Sequence, residues 1–318
     1  MITITEKDVE EILHPKLVLD SIQDVFKQYA KGLAAMPCKV YLEMNTPGDD
    51  YRAMPAYTKN VAGIKWIADY GSNAKRNKPT TDALIILNNK HTGQPLALIQ
   101  ANYITKARTA ATTALATKAI IQEDEVVKMS FIGCGAQTLE HILYLQHTIP
   151  SLVISLFDLN LKKAFEMANK IRFPGVDVIV ERSLNECIQD SRIITTLTPA
   201  RRSYLTYNML PDEPVHINAV GADAVGKREL SDDINFNCST LVYDDKEQAT
   251  HSGESQYRIG PTFLNRNAHF EDYELKNVLN WSKETRKEKI KKNLTIYDST
   301  GLAIEDMALA EVVWTSIK

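Results

Sequence analysis

"MSFIGCGAQTLEHILYL", residues 129–145, is the stretch that decides the fold. It begins as an apolar strand, passes through Gly133 and Gly135, and enters a helical apolar pattern without a break. Strand, glycine turn and helix in that order are the context a dinucleotide fingerprint requires. The first glycine permits the tight turn, and the second lets a pyrophosphate approach main-chain N–H groups at the helix N-terminus. A third glycine is absent, and Thr138 stands where it usually falls. That glycine mainly serves helix–strand packing, so a small or polar residue is tolerable there. The next strand, "LVISLFDLN" at 152–160, ends in Asp158, placed to accept hydrogen bonds from an adenosine ribose and to repel a 2′-phosphate. NAD is therefore expected rather than NADP.

From residue 126 the chain alternates apolar strands with amphipathic helices: "VVKMSFIG", a helix over 137–147, "LVISLFD", a helix over 160–171, then "VDVIV", "RIITTLT" and "VHINAVG". This rhythm implies a doubly wound parallel sheet with both faces covered. Before it, residues 6–31 give two short helices interrupted at Pro15 and ended by Gly32. From 36 to 101 come short β-branched and aromatic runs, "KVYLEM", "YRAMPAY", "GIKWIADY", "TDALIILN" and "QPLALIQAN". The last two flank the polar loop "NKHTG" and read as a hairpin in a meandering antiparallel sheet. "YITKARTAATTALATKAIIQED" is a long Ala- and Thr-rich helix that bridges two domains. Residues 264–293 read as a mixed-charge helical stretch with a solvated face. "LTIYDSTGLAIEDMALAEVVW" is a strand, a turn at Gly301 and an amphipathic helix.

A chain of 318 residues with 44% hydrophobic content can give each of two domains its own core. A net charge of −3 leaves no excess of cations to neutralise a phosphate backbone or an anionic lipid surface, so neither nucleic acid nor membrane is expected as a partner. The opening "MITITEKDVEEILHP" has no leader-like region and no apolar run reaches membrane-span length, which predicts a cytoplasmic protein. Cys38, Cys134, Cys187 and Cys238 are far apart and the histidines scattered, so no disulfide framework and no metal site is expected.

Several residues stand where chemistry could occur. "RIITTLTPA" ends its strand in Thr195, Thr196, Thr198 and Pro199, on the side of an open sheet that faces a ligand crevice. Their hydroxyls could reach a nicotinamide, or the run could simply be a strand stopped by proline. In "NAVGADAVGKREL", Gly221 turns the chain and Asp223 follows, either a general base or amine ligand, or the cap of the helix implied by "KRELSDDI". Lys39, Arg52, Lys65 and Arg108 are cations in or beside apolar strands and the bridging helix. Singly, each could snorkel to solvent; together they could anchor a carboxylate.

"MPAY" at 54–57, "GIK" at 63–65, "ITKARTAATTALATK" at 104–118, "IGCGAQ" at 132–137, "GADAVGKREL" at 221–230 and "DSTGLAIEDMA" at 298–308 run in order along nearly the whole chain. Together they resemble the ornithine cyclodeaminase and mu-crystallin family. The resemblance implies a Rossmann-type NAD-binding domain over 113–298 and a discontinuous α+β substrate-binding and dimerisation domain over 1–112 with 299–318. It implies a homodimer acting on a small amino-acid or imine substrate. By the same resemblance Lys65 and Arg108 hold the substrate carboxylate, and Asp223 is the catalytic acid/base, with Lys65 counted beside it; Lys39 and Arg52 join the carboxylate-binding set by their place around the sheet. Thr80, Thr109, Gly133, Gly135, Ala136, Gln137, Asp158, Thr196, Lys227 and Ser299 fall on or near positions that line the cofactor. Gln137 belongs to that family's fingerprint, so Thr138 is no defect.

The resemblance implies hydride transfer from the α-carbon of an amino acid to NAD, giving an imine. Attack by a distal amine would make a cyclodeaminase releasing ammonia, and attack by water an alanine-dehydrogenase-like enzyme. The family also holds cyclic imine reductases and mu-crystallins, which bind NADPH and a small ligand. Ornithine cyclodeaminases carry an arginine where this chain has Lys39, and a glutamate where it has Arg52. "YRAMPAY", "MPCKVYL" and "AGIKWIADY" are similar to the branch of siderophore-precursor 2,3-diaminopropionate dehydrogenases. An arginine at 52 would repel ornithine's distal ammonium and favour a second carboxylate.

Overall fold

The computed structural model describes residues 1–76, 78–258 and 271–318. The chain forms two compact units, Met1–Thr112 with Gly301–Lys318, and Thr113–Thr300. The cut falls inside the helix Asn102–Ile121. That helix is buried nearly all round, and its threonines satisfy themselves: Thr105, Thr109, Thr112 and Thr117 each donate to the carbonyl four residues earlier.

The first unit is built on six strands: β1 (Ile2–Ile4), β2 (Val40–Glu43), β3 (Asp49–Tyr57), β4 (Val61–Tyr70), β5 (Thr81–Asn89) and β6 (Pro95–Gln100). Their order is β1-β6-β5-β4-β3-β2, antiparallel except for β1 beside β6. Strand β1 was not foreseen, because three residues before a helix cap carry no readable period. Thr5 then closes a capping box with Asp8 on helix Glu6–Ile12, and Pro15 starts helix Pro15–Ala30. Alternation buries Met54, Lys65, Ile67, Ile85 and Ile99 on one face, while Trp66, Leu84 and Ile86 remain exposed on the other. The C-terminal helix Ala303–Ile317 packs on helix Pro15–Ala30 and on β3, β4 and β5.

The second unit is an eight-stranded, wholly parallel sheet: β7 (Val126–Ile132), β8 (Ser151–Phe157), β9 (Asp177–Val180), β10 (Ile193–Thr196), β11 (Val215–Ala219), β12 (Thr240–Tyr243), β13 (Glu271–Glu274) and β14 (Leu294–Asp298). In the order β13-β12-β14-β11-β10-β7-β8-β9, the first five strands of the unit lie as 3-2-1-4-5, the doubly wound arrangement. The direction of winding reverses between β7 and β10, and the glycine turn sits at the end of β7.

The stretch expected to be helical over 264–293 is corrected in part. Glu271–Glu274 is an edge strand beside β12, followed by the short helices Leu275–Val278 and Lys283–Lys289, and 264–270 lie outside the described residues. "EDYE" has no apolar period; pairing with β12 and the edge-to-face contact of Tyr273 with Trp281, centroids 4.8 Å apart, define it. Strand β12 was likewise not read from the sequence.

The core of this sheet contains a polar network. His216 is fully buried, with Nδ1 2.8 Å from Thr295 Oγ1 and Nε2 3.0 Å from Asn218 Oδ1. Thr117 Oγ1 also lies 2.9 Å from Asn218 Oδ1. Burial, then the charge of Arg192, pushes His216 down to about 3. The unfolded chain thus binds a proton at His216 below about pH 6.5 that the folded chain refuses until near pH 3. Urea unfolding at pH 7.5 and 5.0 should show the wild type losing about 2 kcal/mol more than His216→Asn as pH falls. Equal losses in the two proteins would refute this assignment.

Candidate active site

At the end of β7, Gly133 adopts φ +95°, and its N–H donates to Phe157 O at 2.8 Å. A Cβ there would lie 2.9 Å from Leu197 O, so glycine is required by both backbone angle and space. Thr138 closes the turn: its buried hydroxyl donates to Gly133 O at 2.8 Å. A Cβ on Gly135 would meet no atom within 4 Å, so the main chain there borders open space. Helix Thr138–Thr148 begins without a side-chain cap, and the buried Gln137 Oε1 has no hydrogen-bond partner among the described residues. An uncapped helix start beside open glycine backbone suits an anion such as a pyrophosphate.

Asp158 braces this turn. Oδ2 accepts from Cys134 N at 2.9 Å and Oδ1 from Asn160 N at 2.8 Å, and each oxygen keeps a further lone pair for a ribose hydroxyl. Burial, then the Asp158 charge, pushes the Cys134 thiol up to about 12, so it stays protonated.

Across the sheet, the ends of β10 and β11 converge on a residue the sequence reading passed over, Glu229. Its fully buried carboxylate accepts from Thr196 Oγ1 at 2.7 Å, Thr198 N at 2.8 Å, Thr198 Oγ1 at 2.6 Å, Tyr204 OH at 2.8 Å and Gly221 N at 2.9 Å. Burial raises the Glu229 carboxyl, against the pull of the Thr198 and Thr196 donors. The hydroxyl proton of Thr196, read as a cofactor contact, is instead spent on Glu229. Thr195 Oγ1 accepts from Asn218 Nδ2 at 3.2 Å.

Asp223 lies on the loop between Gly221 and Glu229, with Lys227 Nζ 2.6 Å from its Oδ1. The helix implied by "KRELSDDI" is Asp232–Asn237, and its N-cap position is Ser231 rather than Asp223. Ser299 follows β14, and its N–H donates to Ala219 O at 3.0 Å.

In the first unit, Lys65 and Arg108 come together around one oxygen. Lys65 Nζ is 2.8 Å and Arg108 Nε 3.1 Å from Asp306 Oδ1, while Arg108 Nη1 is 3.1 Å from Glu305 Oε2. Lys65, Glu305 and Asp306 are 0–1% exposed. Burial, then the Arg108 charge, pushes Lys65 down to about 7 against the pull of Asp306, and the Lys39 charge adds to the depression. Burial raises Glu305, opposed by Arg108. Neither acid entered the sequence reading; the available signal was two carboxylates within the apolar run "LAIEDMALA".

Arg52 lies on the same sheet face, since Met54 is opposite Lys65 and Arg52 opposite Ile67. Arg52, expected to meet a substrate carboxylate, donates to Asp50 at 2.7 Å, is paired with Asp69 and stacks over Tyr41. Thr80 O accepts from Tyr70 N at 2.7 Å at the start of β5, and the Thr109 hydroxyl is spent on Thr105 O. Among the described residues no group of three or more His, Cys, Asp or Glu could hold a metal ion, and no helix is long and apolar enough to cross a membrane.

A doubly wound sheet with a glycine turn at its reversal, joined in one chain to a sheet unit with buried, acid-paired cations, defines a dinucleotide-binding α/β protein. The sequence model of the ornithine cyclodeaminase/mu-crystallin family matches residues 1–318, and the chain belongs to that family. It is 34% identical over 318 residues to an alanine dehydrogenase of Archaeoglobus fulgidus, covering 98% of this chain and 93% of that one. The solved dimer of an archaeal alanine dehydrogenase with bound NAD superposes with a TM-score of 0.85 at 32% identity, over 98% of this chain and 94% of that one. The Δ1-pyrroline-2-carboxylate reductase of Thermococcus litoralis, solved with NADH and L-proline, gives 0.89 at 26% identity, over 99% and 97%.

The two glycines make separable demands. Gly133→Ala should cost roughly 1–3 kcal/mol in urea unfolding, and Gly135→Ala less than about 1 kcal/mol while weakening NADH binding measured by fluorescence. A Gly135→Ala protein that binds NADH like the wild type would contradict the cradle.

Proposed function

We propose that this protein is an NAD-dependent oxidoreductase that converts a small α-amino acid to its imine, with water then giving the keto acid and ammonia. The observation that carries the reading is the pair of buried cations, Lys65 and Arg108, fixed on one carboxylate oxygen. NAD, when bound, supplies the hydride acceptor. The residues of the turn fit such a group: Gly135 backbone borders open space, the following helix start is uncapped, and Asp158 has lone pairs for a ribose.

Lys65 and Arg108 hold the substrate carboxylate and so fix which face of the α-carbon gives up its hydrogen. Asp223 takes the proton that leaves the amine nitrogen, and Lys227, 2.6 Å away, favours its carboxylate form. Run backwards, the same groups would protonate and reduce an imine, the direction named for the T. litoralis relative. Because two carboxylates, Asp50 and Asp69, face the single cation of Arg52, whereas Lys65 and Arg108 meet two acids with two cations, a substrate without a second carboxylate suits the site, and alanine leads the panel.

The exposed sheet face supports a homodimer. Trp66 pairs with Leu84 and Ile64 with Ile86 across β4 and β5, and Trp66, Leu84 and Ile86 are 40%, 42% and 44% exposed. Light scattering on the wild type should give twice the chain mass, and Trp66→Glu with Ile86→Glu the single mass. A monomeric wild type would dismiss this interface.

The decisive screen incubates purified protein and NAD with a panel of amino acids, following NADH absorbance and ammonia together. The expected result is both products with alanine or another small amino acid. Ammonia without net NADH from ornithine would mean a cyclodeaminase, and neither product nor any imine reduction would leave a nucleotide-dependent binding protein. Lys65→Met should raise KM for the amino acid on the order of 100-fold. Pyruvate, which has a carboxylate and no amine, should inhibit less well as pH rises above about 7 and Lys65 loses its proton.

A further inference from the structure

Residues 221–229 form a loop that leaves β11 at Gly221, carries Asp223 and Lys227, and returns at Glu229. One side chain joins its two ends, because Glu229 Oε2 accepts the Gly221 N–H at 2.9 Å, a donor it shares with Thr196 O at 3.1 Å. The tie leaves no slack: a Cβ on Gly221 would lie 2.6 Å from that oxygen and 2.2 Å from Thr198 O. The other oxygen, Oε1, holds the end of β10 through Thr198 N and Oγ1 and reaches Tyr204 OH. Glu229 is itself fixed, since its own N–H is held by Glu254 Oε1, which also accepts from Leu230 N at 3.2 Å. Gln256 supports the far side of the loop, accepting from Gly226 N at 2.9 Å.

We propose that Glu229 is a positioning residue for Asp223: by closing the neck of the loop on the ends of β10 and β11 it sets where the Asp223 carboxylate stands. The proposal rests on Asp223 being the proton acceptor of the reaction described above. A side chain that accepts five donors has no substitute of equal shape. In Glu229→Gln an NH2 must face either the Thr198 N–H, which then loses its carboxylate acceptor, or the Gly221 N–H, which then keeps only Thr196 O at 3.1 Å.

Hydrogen exchange on the full-length protein tests the anchor without reference to turnover. In the wild type the Gly221 amide should exchange at least about tenfold more slowly than the amides of 224 and 225, and Glu229→Gln, which leaves that amide only Thr196 O, should narrow the difference at least about threefold while leaving β7 peptides unchanged. With the amino acid that the wild type oxidises, Glu229→Gln should lower kcat about 30-fold with KM for NAD changed less than about threefold. The limb of the kcat–pH profile that reports the base should move with it. Glu229→Asp, which keeps the carboxylate on a shorter arm, should recover part of kcat and serves as the second variant if Glu229→Gln does not fold. Fast exchange of Gly221 in the wild type, or a folded Glu229→Gln protein with kcat within about threefold of wild type, would overturn the proposal. A wild type that turns over no amino acid or imine would overturn the reaction instead, and the exchange arm would still decide the anchor.

Discussion

An ammonium and a guanidinium cannot both be removed from water without counter-charge, and the first unit meets that demand through one helix. Asp306 and Glu305 sit on Ala303–Ile317, the last helix of the chain, and their partners Lys65 and Arg108 sit on β4 and on the helix Asn102–Ile121. The unit is discontinuous for this reason: 301–318 bring the acids that 1–112 lack at that place. Removing one member of such a buried set typically costs about 3–5 kcal/mol, because the remaining charge is left uncompensated. Gly301 serves the same contact, with φ +79° and no room for a Cβ, which would stand 2.3 Å from Arg108 Nη1.

In the second unit buried carboxylates receive main-chain N–H groups where strands give way to loops. Asp298, at the end of β14, accepts from Glu254 N at 3.1 Å and Ser255 N at 2.9 Å. Glu254 then holds Glu229 and Leu230, and Glu229 holds Gly221 and Thr198. Loops that leave the carboxyl ends of parallel strands lack ladder partners for their N–H groups, and they are also where ligands bind. Satisfying them with acids inside the unit makes those loops stiff, which a catalytic group borne on a loop requires.

The parts of this structure legible in the sequence were those set by local pattern. Gly133 and Gly135 between strand and helix, the alternating strands of 126–221 and the hairpin around "NKHTG" are each written within a dozen residues or so. Strands β1 and β13, "ITI" and "EDYE", show no apolar run long enough to read, and their pairing with β6 and β12 supplies what local pattern does not. The site was half legible for a related reason. Lys65 and Arg108 stood out as cations in apolar surroundings, but the acids that hold them are 197 and 241 residues away along the chain. Glu229 carries no such signal, since nothing local in "GKREL" shows that its carboxylate folds back on Gly221.

Arg52 shows how pairing changes the meaning of a cation. By sequence it is one of four positive side chains around a sheet; in the fold, Asp50 and Asp69 face each other across β3 and β4 and hold its guanidinium between them. Asp50 is only two residues away, and "DDYR" already contained that partner. The capacity of a buried site to take an anion follows from the charge left after such pairing, not from the number of cations. Two acids face the one cation of Arg52, whereas Lys65 and Arg108 are matched one for one by Asp306 and Glu305, and Lys65, held down to about 7 by burial, stands between neutral and charged near physiological pH. A carboxylate arriving beside it favours the charged form, so the ligand itself would restore the cation that binds it.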